Sequence, residues 1–118
     1  MYKIEFYSEI KDDLDKLSNE VASEVREYFY KYKTDPLKYS KPLYNQGRLN
    51  LQGYRKTYVA NATYRIVIKV ENNIAKIVEV VAVGQRESKQ VYQDAYKRVK
   101  NDWKTTTYKR YTKPTKLI

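Results

Sequence analysis

Val83-Gly84-Gln85-Arg86-Glu87-Ser88-Lys89-Gln90-Val91-Tyr92-Gln93-Asp94-Ala95-Tyr96-Lys97-Arg98-Val99 is the stretch that decides the fold. It reads as the end of a buried strand, a turn at Gly84, an arginine at the corner, and then a basic amphipathic helix. Val91, Ala95 and Val99 recur at helical spacing on its packed side, with Trp103 continuing the row in a helix of about Ser88–Lys100. Tyr92 follows Arg86 by six residues, in a chain with no histidine and no cysteine. An arginine and a tyrosine can bind and stabilise a phosphate undergoing transfer. Thiol chemistry is excluded, and zinc or another soft metal lacks its usual ligands.

Working toward the N-terminus, Ile74–Val83 is almost wholly apolar, the pattern of a central strand buried on both faces. Glu71-Asn72-Asn73 precedes it as a tight turn, asparagine being tolerant of positive φ. Tyr64–Val70 alternates, setting Tyr64, Ile66, Ile68 and Val70 on one face and Arg65, Val67 and Lys69 on the other. Tyr54–Val59 is the strand before it, and residues 36–53, with two prolines and two of the three glycines, read as a connection. Two helices come first. Ser8 is the expected cap of one carrying Ile10, Leu14 and Leu17; Ser18 or Asn19 starts the other, with Val21, Val25, Phe29 and Tyr32 on one stripe. Asp35-Pro36 ends it, and the short link between the two predicts an antiparallel hairpin. Residues 2–7 alternate as a strand. The expected architecture is α+β: a strand, a helical hairpin, a mainly antiparallel four-stranded sheet and a C-terminal helix.

A chain of 118 residues makes one domain with a single core. It has no run of about 20 apolar residues to span a membrane, and Met1-Tyr2-Lys3-Ile4-Glu5-Phe6 lacks the apolar region of a signal peptide. Zero cysteine fits a cytoplasmic protein. The net charge of +10 is segregated. Residues 1–35 carry six Lys and Arg against nine Asp and Glu (−3), residues 36–85 eight against two (+6), and residues 86–118 ten against three (+7). A basic face opposite an acidic one is the footprint of a nucleic-acid binder, although lysine-rich solvated surfaces share the composition. Fourteen tyrosines among the cations suit stacking on unpaired bases, most of them packing in the core or at its rim. The stretch 104–118 is basic, threonine-rich and without period, a tail either disordered or folding on a partner.

The element order resembles the RelE/ParE toxin superfamily, over roughly residues 2–100. Four pieces carry the resemblance: Lys41-Pro42-Leu43, Gly53-Tyr54-Arg55, Tyr64-Arg65-Ile66-Val67, and Val83-Gly84-Gln85-Arg86 running into Val91-Tyr92. The resemblance implies a toxin domain over 1–103, with the tail 104–118 outside it. In the RelE branch the toxin enters the A site of the small ribosomal subunit and cuts mRNA; the ParE branch poisons gyrase and generally lacks the nuclease residues. Arg65, Arg86 and Tyr92 match the nuclease pattern. By resemblance, the two arginines neutralise the scissile phosphate, while Tyr92 stacks on a base or takes part in proton transfer. The family often carries two basic residues two apart on the preceding strand. Here Lys56 with Tyr58, or Arg55 with Thr57, takes those places, and Lys56 is preferred. The resemblance further implies a cognate antitoxin in a hetero-oligomer, ribosome and mRNA as targets, and no cofactor, metal or membrane. Lys41, Arg48, Arg55, Tyr58 and Lys89 are the expected RNA-binding residues.

Elementary chemistry agrees. RNA supplies its own nucleophile, the 2′-hydroxyl, so an enzyme need only move protons and stabilise charge on the phosphorane. Without histidine, proton transfer falls to Lys, Tyr, Arg or a carboxylate, or is left partly to the ribosome. Free Lys and Tyr titrate near 10, and a cluster of cations shifts both downward. Arginine's fork matches phosphate geometry, and preorganised donors can be the larger contribution. The expected reaction is a metal-independent transesterification giving a 2′,3′-cyclic phosphate or its 3′-phosphate product. Each residue also has an ordinary reading: Arg65 as an exposed strand arginine, Arg86 as a partner of Glu87, Tyr92 as packing against the sheet. A ParE-like gyrase inhibitor and a non-catalytic RNA-binding protein are the alternatives.

Overall fold

The structure, a computed structural model, describes residues 1–44, 49–72, 74–104 and 110–111. Strand β1 (Lys3–Tyr7) leads into a short helix α1 (Ile10–Asp15) and a longer α2 (Asn19–Thr34). Then come β2 (Lys41–Leu43), β3 (Tyr54–Val59), β4 (Tyr64–Asn72), β5 (Lys76–Gln85), a 3-10 turn (Glu87–Lys89), α3 (Gln90–Lys104) and β6 (Arg110–Tyr111). The expectations for Arg48, for Asn73, for the side chain of Trp103 and for tail residues 105–109 and 112–118 lie outside the described residues.

The strands form one sheet in the order β2-β3-β4-β5-β1-β6. Only β1 runs parallel to its neighbour β5, with Lys3 opposite Ile77 and Phe6 opposite Val80; the other pairs are antiparallel. The architecture is the α+β one expected, with six strands rather than four. The two extra strands are short and lie at the edges. Pro42 disguised β2 as loop, since proline is excluded from central strands but tolerated at a sheet margin. Strand β5 is central and buried from Val78 to Val83. It begins at Lys76, and Ile74, expected inside it, is fully exposed before it.

Alternation divides the sheet into two working faces. On one, Phe6 meets Phe29 of α2 edge-on, ring centroids 5.0 Å apart. On that face Tyr32 shares a buried hydrogen bond with the Thr57 hydroxyl, which donates to the Tyr39 carbonyl at 2.7 Å. Val25, Phe29 and Tyr32 are buried, as their spacing requires. Ser18 caps α2 by accepting from the Val21 N–H at 3.3 Å. Ser8 does not cap α1: the cap position is Glu9, without a side-chain cap bond, and Ser8 donates instead to the Glu9 carboxylate. The two helices are held by the sheet, α1 against β5 and α2 against β1 and β3.

The other face carries α3. Val91, Tyr92 and Ala95 are buried there. Gly84 lets the helix settle onto the strand end, because a Cβ at that position would already lie 3.4 Å from Val91 Cβ. An ion pair fixes the helix at its far side. Strand β1 pairs with β5 only as far as Val80, so the next edge groups of β5 need other partners. The Val83 N–H donates to Asp13 Oδ2 at 3.0 Å, and the Val81 carbonyl accepts from Arg98 Nη1 at 3.1 Å. Arg98 in turn grips Asp13 with both Nη atoms, at 2.6 and 2.8 Å. One carboxylate and one guanidinium thereby tie α1, β5 and α3 together.

Candidate active site

Lys41, Lys56, Tyr58 and Arg65 project from three adjacent strands onto the face covered by α3. The register sets Lys41 opposite Lys56 and Tyr58 opposite Arg65. Arg65 is the centre. Its side chain lies between two rings, with Cζ 4.4 Å from the Tyr58 centroid and 5.9 Å from that of Tyr92. Its Nη1 donates to the Tyr92 hydroxyl at 2.6 Å. The residue is only 9% exposed, and among the described residues no carboxylate pairs with it. Its buried Nε has no hydrogen-bond partner among the described residues.

That arrangement contrasts with Arg98, an arginine of α3 whose side chain turns in toward α1 and β5. Burial of Arg98 opposes its charge, but the Asp13 carboxylate more than compensates and holds its pKa above the ordinary arginine value. Arg65 has aromatic faces and one phenol in place of a counter-ion. A buried cation left without an anion costs several kcal/mol in general, and such groups persist where a site requires them.

Arg65 opens onto a cleft of about 830 Å³. Arg86, Lys89, Tyr58 and Tyr92 line it as well, and Glu87 is the one carboxylate among the described lining residues. Arg86 is exposed at the end of β5, its N–H donating to the Thr63 carbonyl at 3.0 Å and its own carbonyl accepting from the Lys89 N–H at 2.9 Å. The backbone thus fixes the corner while leaving the guanidinium over the cleft. The rim is strained: Ala60, Asn61 and Ala62 are consecutive residues at positive φ (51°, 55° and 68°), and Lys89 at 56° is a fourth. Two alanines in the left-handed region cost on the order of 1 kcal/mol each. Nothing in the alternation of the sequence flagged this turn.

Lys41 and Lys56 extend the positive wall. Their Nζ atoms lie 5.4 and 5.3 Å from the Tyr58 ring centroid, and both line a second hollow of about 250 Å³ together with Tyr28, Lys38 and Tyr39. A hydrogen bond from Lys56 is the main influence lowering the Tyr58 pKa below its ordinary value; partial desolvation opposes it, and the charges of Lys56, Arg65 and Lys41 add to it.

Arg55 does not join this group. It alternates onto the α2 face, where Nε donates to the Ser40 hydroxyl at 2.7 Å and Nη2 to the Ser40 carbonyl at 2.9 Å. These bonds clamp the connection ahead of β2 and set Arg55 apart from the Lys56 face. Of the two possible registers, the one beginning at Lys56 shares a face with Tyr58, which lines both the cleft and the adjoining hollow. Arg48 lies outside the described residues. The structure thus gathers Lys41, Lys56, Tyr58, Arg65, Arg86, Lys89 and Tyr92 along one continuous surface.

Among solved structures, the chain is similar to the Escherichia coli toxin RelE, as an arginine-to-alanine double mutant in the free state. The TM-score is 0.63 at 22% sequence identity, covering 83% of this chain and 97% of that one. The chain has the RelE fold. No family model and no curated protein matches its sequence. In this RelE-type sheet, the resemblance first carried by four short motifs is one of backbone architecture, with most side chains changed. Among the described residues no group of three or more His, Cys, Asp and Glu could hold a metal ion, and no helix is long and apolar enough to cross a membrane.

Proposed function

We propose that this chain is the toxin of a toxin–antitoxin pair, a cytoplasmic, metal-independent endoribonuclease that cuts mRNA in the ribosomal A site. The observation that carries the reading is Arg65: buried, without a counter-ion among the described residues, and lining a cleft together with the exposed Arg86. A phosphate is the anion that two such guanidinium groups fit. The RelE fold supports the same assignment.

In the proposed mechanism the scissile phosphodiester sits between Arg65 and Arg86. The 2′-oxygen attacks phosphorus, the bond to the 5′-oxygen breaks, and a 2′,3′-cyclic phosphate is left. Charge grows on the non-bridging oxygens in the transition state, where fixed guanidinium donors act without further reorganisation. Lys41, Lys56 and Lys89 track the flanking phosphates, and the exposed ring of Tyr58 offers a stacking face for an unpaired base. The cognate antitoxin is expected to be acidic and to cover the basic face as an extended or helical segment.

The test is single-turnover incubation of the purified chain with programmed ribosomes, followed by mapping of RNA ends. Cleavage within the A-site codon, with cyclic or 3′-phosphate termini, is the expected result. Intact mRNA together with inhibited gyrase supercoiling would instead establish a ParE-like activity, and RNA binding without cutting a passive RNA-binding protein. Affinity for ribosomes should fall steeply as salt rises through the physiological range, since each phosphate contact releases counterions. A salt-independent affinity measured by sedimentation would show that the basic face is not the docking surface.

A further inference from the structure

We infer that Tyr58 is the proton acceptor of the reaction, and that Tyr92 is a positioning residue that holds Arg65. The inference rests on the nuclease reading above and divides between two tyrosines a role that the sequence left open.

Tyr92 is poorly placed to take a proton. It is 2% exposed, and its hydroxyl oxygen already accepts the Arg65 Nη1 hydrogen at 2.6 Å. A proton arriving there would meet an oxygen already engaged with a cation. What that bond does is fix the guanidinium. Without it, Nη1 would lose its only hydrogen-bond partner among the described residues, beside an Nε that has none.

Tyr58 has the opposite surroundings. It is 38% exposed and lines both the main cleft and the adjoining hollow, so its hydroxyl can be approached from solvent. Cations face it from three strands: Lys41 on β2, Lys56 on β3 and Arg65 on β4, at 5.4, 5.3 and 4.4 Å from the ring. From α3, Tyr92 lines the same cleft, and Tyr28 of α2 and Lys38 line the shared hollow. Glu87 is the one carboxylate among the described residues lining either cavity. Such a field favours the phenolate over the phenol. The lowered Tyr58 pKa, caused first by the Lys56 hydrogen bond, has that sign. In a site without histidine, a phenolate beside the phosphate-binding arginine is a base in reach of the 2′-hydroxyl.

The step balances. The Tyr58 phenolate oxygen takes the 2′-hydroxyl proton, the 2′-oxygen bonds to phosphorus, and the phosphorus–5′-oxygen bond breaks. The departing 5′-oxygen draws a proton from water, and Tyr58 returns its proton to solvent. No net proton is gained or lost. Because the active form is the ionised one, the rate rises with pH until Tyr58 is fully ionised, and then levels.

Single-turnover cleavage on programmed ribosomes, measured against pH, tests the division of roles. Tyr58→Phe keeps the ring and its stacking, and should slow cleavage about 100-fold or more while flattening the rising limb of the pH profile. Ribosome affinity should stay within about threefold. Replacing Tyr58 by 3,5-difluorotyrosine, a more acidic phenol, should move the limb to lower pH. Tyr92→Phe should slow cleavage about tenfold and keep the limb where it is. Tyr58→Phe with an unchanged rate or an unchanged limb overturns the assignment, as does a limb lost in Tyr92→Phe instead. Those outcomes differ from failure of the nuclease reading, in which the unsubstituted chain itself leaves mRNA uncut.

Discussion

Arg65→Met should slow single-turnover cleavage by about 100-fold or more without destabilising the protein. The kinetic effect follows from removing a preorganised donor to the phosphorane, a loss on the scale of about 10²–10³ when one such donor is deleted. The stability effect is the more discriminating half. Arg65 is buried with no counter-ion and an orphaned Nε, and methionine replaces it with a flexible apolar chain able to pack between Tyr58 and Tyr92. The melting temperature should therefore hold or rise, the signature of a residue kept for chemistry at the expense of stability. Arg86→Ala, at an exposed corner, should slow cleavage on the same scale, leave the melting temperature unchanged and alter ribosome binding far less. A marked fall in melting temperature for Arg65→Met, with cleavage intact, would make Arg65 a structural residue.

Arg98→Met should do the reverse. It strips Asp13 of both guanidinium bonds and leaves a carboxylate only 5% exposed without its cation, while the Val81 carbonyl loses its donor. Breaking a buried pair from one side costs about 3–5 kcal/mol. In a domain of this size that lowers the melting temperature on the order of 10 °C. Asp13→Ala should be comparably damaging, because it also orphans the Val83 N–H. The double variant Asp13→Leu with Arg98→Met should recover part of the loss, since the uncompensated charge is gone. Thermal unfolding of the three proteins checks this. Additive losses would show that the two residues act independently and that the ion pair does not organise the α1–β5–α3 junction.

The elements that position the cleft could be read because each has a strong period. Alternation in Tyr64–Val70 placed Arg65 on the face away from Ile66 and Ile68, and helical spacing put Val91 and Ala95 beneath α3. Two side chains were harder to place for a common reason. Arg55 and Lys56 are adjacent in a strand, so a slip of one residue exchanges their faces, and composition says nothing about which is right. Register settled it: Lys56 pairs with Lys41 and Val67, while Arg55 pairs with Pro42 and Ile68 and finds Ser40. Arg98 was invisible for a different reason. Its partner Asp13 lies 85 residues away, and a basic helix offers no clue that one of its arginines turns inward. The backbone of residues 60–62 had no reading of its own, since alanine is not a signal for the left-handed region they occupy.

The parallel pairing of β1 with β5 carries a consequence for synthesis. Lys3 and Ile4 must wait for Ile77 and Val78, so the first strand made is among the last to find its neighbour. Long loop closures of this kind delay assembly rather than weaken the finished sheet. Until β5 has left the exit tunnel, β1 has no parallel partner, and Arg65, Arg86 and Tyr92 belong to elements without a common scaffold. The proposed activity therefore has no assembled site to act from until α3 has docked, and a partner of the kind proposed above would have that interval in which to bind.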